Sequence, residues 1–252
     1  MGRADLHIHT IYSDGEPTVQ AVLAAVAAQR TLAVIAITDH DTIAGAQFAQ
    51  QLMARQQYPF ELIVGEEITS QEGHIVGLFL REAIVPGMSA AETIAAIHDQ
   101  GGLAFAPHPF FNDRPWRSRR TMDSVGTLAG TLPFDAIEVD NSTPFLEWAN
   151  FRAQRFAACQ RRTTLGASDA HILTAIGKSY TTFPGYSAAA LRQAIKVGTC
   201  QAGARPYRSA ELLDYFRFWL GYGRGSRVTS AETGGVPSLL RERMVREQLV
   251  RE

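Results

Sequence analysis

Cysteine is scarce in this chain. Its two residues, Cys159 and Cys200, have no CxxC partner and lie far from every histidine string. That argues against a disulfide framework and reads as reduced, structural cysteine in a cytoplasmic protein. An excess of either charge is also missing. With 24 basic against 25 acidic residues the formal net charge is −1, so there is no global pull toward nucleic acid or membrane, and attraction for an anionic substrate must be local. No apolar stretch approaches the roughly 18 residues that suggest a membrane span. The first strand is expected to begin almost at Met1, which leaves no room for a signal peptide. Core-forming residues, in contrast, are plentiful: 46% of the 252 residues are hydrophobic and 19% charged. Such a length and composition suit one α/β domain with a substantial core.

Strand-like and helix-like segments alternate along the chain. The pattern predicts strands over 4–9, Leu32–Ile37, Glu61–Thr69, His74–Leu80, Leu103–Ala106, 135–139 and 164–168, and a further short strand over Tyr180–Phe183. Helices are predicted after Pro17, after Asp41 or Thr42 as cap, after Ser89, near 145–161 and over Ser187–Val197. The run Leu32–Ile37 is continuously apolar, as in a strand buried on both faces. Repeated strand-then-helix order implies a mainly parallel sheet with helices outside, closed or distorted into a barrel of about seven units. From about Arg205 the pattern changes. Glu211–Leu220 reads as an amphipathic helix packed on the barrel, Gly221–Pro237 as a glycine- and serine-rich mobile connection, and Ser238–Glu252 as a frayed helix. The expected division is therefore a barrel over 1–204 and a helical extension over 205–252.

Six of the seven histidines fall in short strings at or just after the apolar runs. A barrel that delivers ligands to one rim would place them there. His7 and His9 are two apart on a strand, so both project from one face and can share an ion, while Leu6 and Ile8 point the other way. Asp14 follows in the loop and reaches the same rim, although Asp14-Gly15 is also a common turn pair. His40 follows the second strand, which ends at Thr38, with Asp39 beside it as a residue that could orient a ligand. Of Glu66 and Glu67, alternation lets only one enter the site from the strand. His74 opens the fourth strand, and His108 sits between two prolines, which restrict its backbone. Asp169 and His171 repeat the two-apart arrangement on the last barrel strand. His98 lies inside an amphipathic helix, where a structural role outweighs a ligand role.

Taken together the strings resemble the PHP family, named for its polymerase and histidinol-phosphatase members. The resemblance runs over about residues 4–203 and is carried by His7/His9, Ser13-Asp14-Gly15, Thr38-Asp39-His40, Gly65-Glu66-Glu67-Ile68, His74, His108-Pro109 and Ser168-Asp169-Ala170-His171. It implies an α/β fold, a distorted seven-stranded (β/α)7 barrel of PHP type, holding two to three divalent ions. It selects Glu67 over Glu66. It places His7, His9, Glu67 and Asp169 around one ion, Glu67, His74 and His108 around a second, and Asp14, His40 and His171 around a third. The large polymerase modules are missing, as is the domain that some nucleotide-cleaving relatives insert before the His-Pro motif, so the resemblance is to a free-standing phosphoesterase.

Mixed nitrogen and oxygen ligands suit zinc, manganese or iron. Adjacent cations generate hydroxide from water near neutral pH and neutralise phosphoryl oxygens, so no separate nucleophilic serine or cysteine is needed. The leading expectation is a hydrolase that cleaves a phosphate monoester of a small metabolite or nucleotide. A PHP-type exonuclease on short nucleic acids is second, since neutrality and the lack of a long basic stripe count against broad nucleic-acid binding. A metal-stabilised, non-enzymatic partner module is third; a purely structural site would need fewer ligands and no open position. The loop after His108 carries Arg114, Arg117, Arg119 and Arg120 against one acid, Asp113. Arginine forks match phosphate oxygens, so this run is a candidate substrate contact as readily as a solvated surface. Lys178, after the last ligand string, is a weaker candidate. No membrane partner is expected.

Overall fold

The computed structural model describes residues 1–111 and 123–225. The arginine-bearing loop Arg114 to Arg120 and the two C-terminal segments expected beyond Gly225 lie outside the described residues. The elements follow in the order β1 (Gly2–Asp5), α1 (Val19–Gln29), β2 (Val34–Ile37), α2 (Ala44–Arg55), β3 (Glu61–Ser70), β4 (Gly73–Leu78), α3 (Ala90–Asp99), β5 (Leu103–Ala106) and α4 (Leu128–Thr131). After these come β6 (Ala136–Asn141), α5 (Glu147–Gln160), β7 (Thr164–Ala167), β8 (Ser179–Phe183), α6 (Ala188–Val197), β9 (Gln201–Ala204) and α7 (Ser209–Gly225).

The sheet has nine strands among the described residues, in the order β7-β6-β5-β4-β3-β2-β1-β8-β9, rather than the seven expected. Strands β1 to β7 are the expected set. Two further strands extend the sheet at the β1 edge: β8, the additional short strand expected over Tyr180–Phe183, is antiparallel to β1, and β9, which was not expected, is antiparallel to β8. Closure is therefore incomplete. At one end β1 and β7 meet through a single parallel bridge, Ile8 to Ala170, where His9 N donates to Ala170 O at 2.9 Å and Ala170 N to His7 O at 3.1 Å. Further down, β8 occupies the gap, and Thr181 Oγ1 bonds both the N–H and the carbonyl of Gly166. The result is a nearly closed, barrel-like α/β sheet, joined most directly at the end that carries the histidines. Strand β4 runs antiparallel to β3 and β5, because Gln71 and Glu72 make a hairpin and no helix intervenes. The start of β4 thus lies at the same rim as the ends of its neighbours.

Two apolar layers follow from the alternation. Ala4, Leu6, Val34, Ala36, Ile63, Val76, Leu78, Leu103, Phe105 and Leu165 pack together as the barrel interior, with Leu191, Ala194 and Ile195 of α6 in the same cluster. Residues of opposite phase, such as Ile35, Ile37 and Ile137, pack in a second cluster with Val22, Leu23, Val26 and Ile94 of the surrounding helices. The interior cluster is apolar, and the histidines lie at one rim beside it.

Local signals explain most helix starts. Thr18 caps α1 by accepting from Ala21 N, Ser89 and Glu92 form a capping box on α3, and Ser187 caps α6. Of the two caps expected for α2, Thr42 Oγ1 does accept from Ala44 N, the first residue of the helix, at 3.1 Å, whereas Asp41 is a correction. Ile43 occupies the cap position with no side-chain bond, and Asp41 instead accepts from Thr69 N at 2.7 Å and Thr69 Oγ1 at 2.9 Å. Asp41 therefore ties the chain after His40 to β3. The amphipathic helix expected near Glu211–Leu220 is α7, anchored by Tyr215, which is 2% exposed. Among the described residues no helix is long and apolar enough to cross a membrane.

Candidate metal centre

Glu67 is the hub of the site. Strand β3 is ten residues long and carries Glu67 past the ends of shorter neighbours, into a ring of five imidazoles. Its Oε2 lies 3.1 Å from His7 Nε2, 3.2 Å from His9 Nε2 and 3.4 Å from His40 Nε2. Its Oε1 lies 3.0 Å from His74 Nδ1 and 3.1 Å from His108 Nε2. One carboxylate thus presents its two oxygens to two different groups of histidines. Glu66 turns away, with Oε2 accepting from Ile84 N at 2.8 Å, as strand alternation requires.

The other side of the ring is built by β7 and the loop after β1. Asp169 Oδ1 is 3.3 Å from His9 Nε2 and 3.5 Å from His7 Nε2. Asp14 Oδ2 is 3.1 Å from His171 Nε2 and 3.7 Å from His40 Nε2. Three groups of ligand atoms are close enough to hold an ion each: His7, His9, Glu67 and Asp169; His40, Glu67 and His74; and His9, Asp14, His40 and His171. All nine residues singled out as ligands from the sequence are brought to this one rim.

The backbone bends to achieve this. His7 and His9 follow β1 rather than lying within it, and the alternation slips between Leu6 and His7. Leu6 belongs to the barrel interior and Ile8 to the outer layer, so the two do not share a side as the strand pattern predicted. The slip turns both histidines inward above Leu6. His108 and Asp169 both have positive φ, 26° and 53°, a region uncommon for residues other than glycine. At Gly15 an added Cβ would stand 2.5 Å from the carbonyl carbon and oxygen of His9, which is why the turn that returns Asp14 to the rim carries glycine there. Asp39 fixes the same turn, accepting from Thr10 N at 2.7 Å and Ser13 Oγ at 2.9 Å.

Electrostatics agree with a site built for cations. Burial alone would raise the Glu67 carboxyl, but His40, His7 and His74 outweigh it and hold it well below the ordinary range. Asp169 is held low against burial by His7, His9 and His171. Burial opposes charge on His9, yet its contacts with Asp169 and Glu67 push it up to about 10. A proton on His9 thus stands where a cation would balance the carboxylates, whereas burial holds His40 below its ordinary value. His9 Nε2 is buried with no hydrogen-bond partner, a donor atom suited to a metal ion, so the residues fit divalent ions bound through nitrogen and oxygen.

This geometry can be set beside known proteins. The PHP domain family matches residues 5–124, and the PHP-associated family matches residues 147–200. This chain belongs to the PHP family. Among the relatives it matches are proteins named as a phosphatase, a diphosphodiesterase and an exoribonuclease. An uncharacterized protein of Methanocaldococcus jannaschii is 43% identical over 151 residues, 56% of this chain and 82% of that one. The 3',5'-nucleoside bisphosphate phosphatase of Chromobacterium violaceum is 40% identical over 82 residues, 31% of this chain and 28% of that one. Among solved structures, a two-domain protein from Bacteroides vulgatus containing a predicted PHP-like metal-dependent phosphoesterase has a TM-score of 0.64 at 18% identity, covering 85% of this chain and 69% of that one. PsfC from Pseudomonas syringae has a TM-score of 0.63 at 18% identity, with 88% and 100% covered. At that identity the two structures speak to the PHP fold alone.

Several site residues carried no motif. Glu138 on β6 is 1% exposed; its Oε1 lies 3.1 Å from His7 Nδ1, and its Oε2 accepts from His108 N at 2.7 Å and Asn141 Nδ2 at 3.0 Å. Asn141 Nδ2 and Thr143 Oγ1 donate to Asp169 Oδ2 at 3.1 and 3.3 Å. The available signal was a glutamate inside the apolar run Ala136–Val139, a position that buries a charge without reason unless a partner waits there. Asp5, fully buried, accepts from Ser168 N at 2.9 Å and Gly177 N at 2.7 Å, and burial lifts its pKa to about 6. His98 bonds Asp135 at 2.9 Å, the structural role expected for it. Lys178 pairs with Glu211 and lies 5.1 Å from the Tyr207 ring centroid, a contact that ties α7 to the barrel.

Proposed function

We propose that this chain binds two to three divalent ions, zinc, manganese or iron, and hydrolyses the phosphate monoester of a small metabolite or nucleotide. The ions would be held by His7, His9, Asp14, His40, Glu67, His74, His108, Asp169 and His171. The observation that carries the reading is the split of Glu67, whose two oxygens face separate groups of imidazoles, an arrangement that serves adjacent ions. When bound, such ions supply an activated water nucleophile and neutralise phosphoryl oxygens. The chain's own residues do the rest. Glu138 keeps a proton on His7 Nδ1 and so points Nε2 at the site. Asn141 and Thr143 fix the second oxygen of Asp169, and the buried floor of Leu6, Phe105 and Leu165 keeps bulk water to the open rim.

Several relatives act on phosphoesters of nucleotides or sugars, which supports the substrate class. Besides the Chromobacterium phosphatase, a phosphoribosyl 1,2-cyclic phosphate 1,2-diphosphodiesterase of Eggerthella lenta is 36% identical over 92 residues. The match spans only 34% and 28% of these two proteins' lengths. A second reading, exonuclease action on short nucleic acid, is favoured by 41% identity over 78 residues to the 5'-3' exoribonuclease Rnm of Escherichia coli, 26% of that protein. Metal analysis after mild purification should find at least two transition-metal ions per chain. The loaded protein should turn over an activated phosphomonoester, and chelation should stop it; full activity without metal would overturn the reading. Cleavage of long single strands without turnover of mononucleotides would decide for the nuclease. If Arg114, Arg117, Arg119 or Arg120 holds a substrate phosphate, its alanine variant should raise KM.

A further inference from the structure

The PHP centre has an aromatic neighbour that none of the ligand motifs contains. Helix α7 brings Phe218 against the His171 ring, centroids 5.8 Å apart and planes 42° apart. Tyr215 stands edge-on to both Phe218 and Trp219, at 6.1 and 5.5 Å. Trp219 in turn faces Phe145 at 5.9 Å with planes 33° apart. A continuous run of rings therefore leads from a histidine of the candidate site to an outer pair, of which Trp219 is 38% and Phe145 67% exposed.

The loop that bears Phe145 is the same loop that reaches Asp169. Thr143 donates to Asp169, Thr143 N donates to Asn141 Oδ1 at 2.9 Å, and Leu146 beside Phe145 is 1% exposed. Phe145 is held at φ 69°, a left-handed conformation rarely taken by a bulky residue. The backbone turns this ring outward while burying its neighbour. The ring stacks toward Trp219 and stays largely exposed beside the candidate site, at a backbone conformation that is costly to hold.

We propose that Phe145 and Trp219 form a stacking shelf for a nucleobase, so that the preferred substrates are nucleotides rather than phosphorylated sugars without a base. Flat aromatic faces stack on any base and tolerate differences between bases. The shelf continues from the His171 side of the centre, so a planar group joined by a sugar to a phosphate on the metal side would fall on it. This inference rests on the phosphoester reading for the reaction but not for the binding of the base.

The test compares adenosine 5'-monophosphate with ribose 5-phosphate, the same ester without its base, on the metal-loaded protein. The wild type should prefer the nucleotide. Phe145→Ala and, separately, Trp219→Ala should raise KM for the nucleotide by about five- to 150-fold, the equivalent of about 1–3 kcal/mol of stacking. Neither variant should change KM for ribose 5-phosphate. Adenosine, which has no phosphoester, should also quench Trp219 fluorescence, measured against the Trp219→Phe variant, where ribose does not. Quenching without turnover of any ester would sustain the shelf and overturn the phosphoester reading. Equal turnover of both esters without quenching would do the reverse. Equal losses on both substrates in the Phe145 variant, or none on either, would overturn the shelf even if the Trp219 variant failed to fold.

Discussion

Changing Glu138 to glutamine isolates the contribution of a residue that touches the centre only through others. In the wild type its carboxylate accepts three hydrogen bonds, from His7 Nδ1, His108 N and Asn141 Nδ2, at 3.1, 2.7 and 3.0 Å. Glutamine supplies one acceptor oxygen and one NH2 group. If the oxygen faces His7, the NH2 confronts two donors, and if it faces the other pair, the NH2 confronts His7 Nδ1–H. The second arrangement drives His7 to the other tautomer and moves its proton to Nε2, the atom that faces Glu67. In the first arrangement the His108 and Asn141 donors lose their acceptor, at a cost of about 1–3 kcal/mol each; in the second every donor keeps a partner, but His7 Nε2 carries a proton and is no longer free to bind an ion. Loss of such an outer partner to a ligating histidine weakens metal affinity about 10- to 100-fold, equivalent to about 1.4–2.7 kcal/mol. Alanine is a poorer probe, because three buried donors left bare would threaten folding in a domain of ordinary stability. Affinity should be measured by competition with a chromophoric chelator, with a thermal melt to confirm folding. A folded Glu138→Gln protein with wild-type metal affinity and unchanged kcat/KM would refute the reasoning.

Glu67→Gln and Asp169→Asn should each abolish phosphoester hydrolysis and leave fewer bound ions per chain by elemental analysis, with far-UV circular dichroism retained; residual activity above a tenth of wild type would count against the assigned roles. Gly15→Ala should cost about 1–3 kcal/mol from overpacking against the His9 carbonyl, seen as a lower Tm together with weaker metal retention as the Asp14 turn is displaced. In the metal-free protein, His9 is held up to about 10 from its ordinary 6.5, so its stabilising contacts are fully present below pH 6.5 and lost as pH rises toward 10. Glu67 and Asp169 are held below their ordinary 4.5 and 3.8, so theirs are present above those values and lost in acid. The Tm in chelator should accordingly fall from pH 6.5 to 10 and also below pH 4, and a Tm that climbs from 6.5 to 10 would contradict the proposed charge pattern.

The strand-and-helix order and the nine candidate ligands were legible in the sequence, because each is a local matter. A buried strand needs a continuous apolar run, a capped helix needs Thr18, Ser89 or Ser187 at its start, and two histidines two apart stand out against Leu6 and Ile8. What local pattern could not convey was how distant segments meet. The sequence of β8 has no feature that says it will fill the gap between β1 and β7, since that is decided by which edge remains open once seven strands have curled round. The slip between Leu6 and His7 arises where β1 ends and the bridge to Ala170 takes over, so the simple alternation that located the histidines misjudged Leu6. Asp41 had a plausible local role as a helix cap and was instead drawn to Thr69 on another strand. Glu138 illustrates the same limit at the site. A glutamate in an apolar strand is costly by itself, and the approach of His7 and of the His108 N–H, both from distant segments, together with Asn141, gives that charge its partners. Local pattern and the family resemblance picked out the candidate ligands; strand pairing decided which oxygen faces which nitrogen, because contacts such as His7–Glu67 and His9–Asp169, between segments far apart in the chain, have no counterpart in the local sequence.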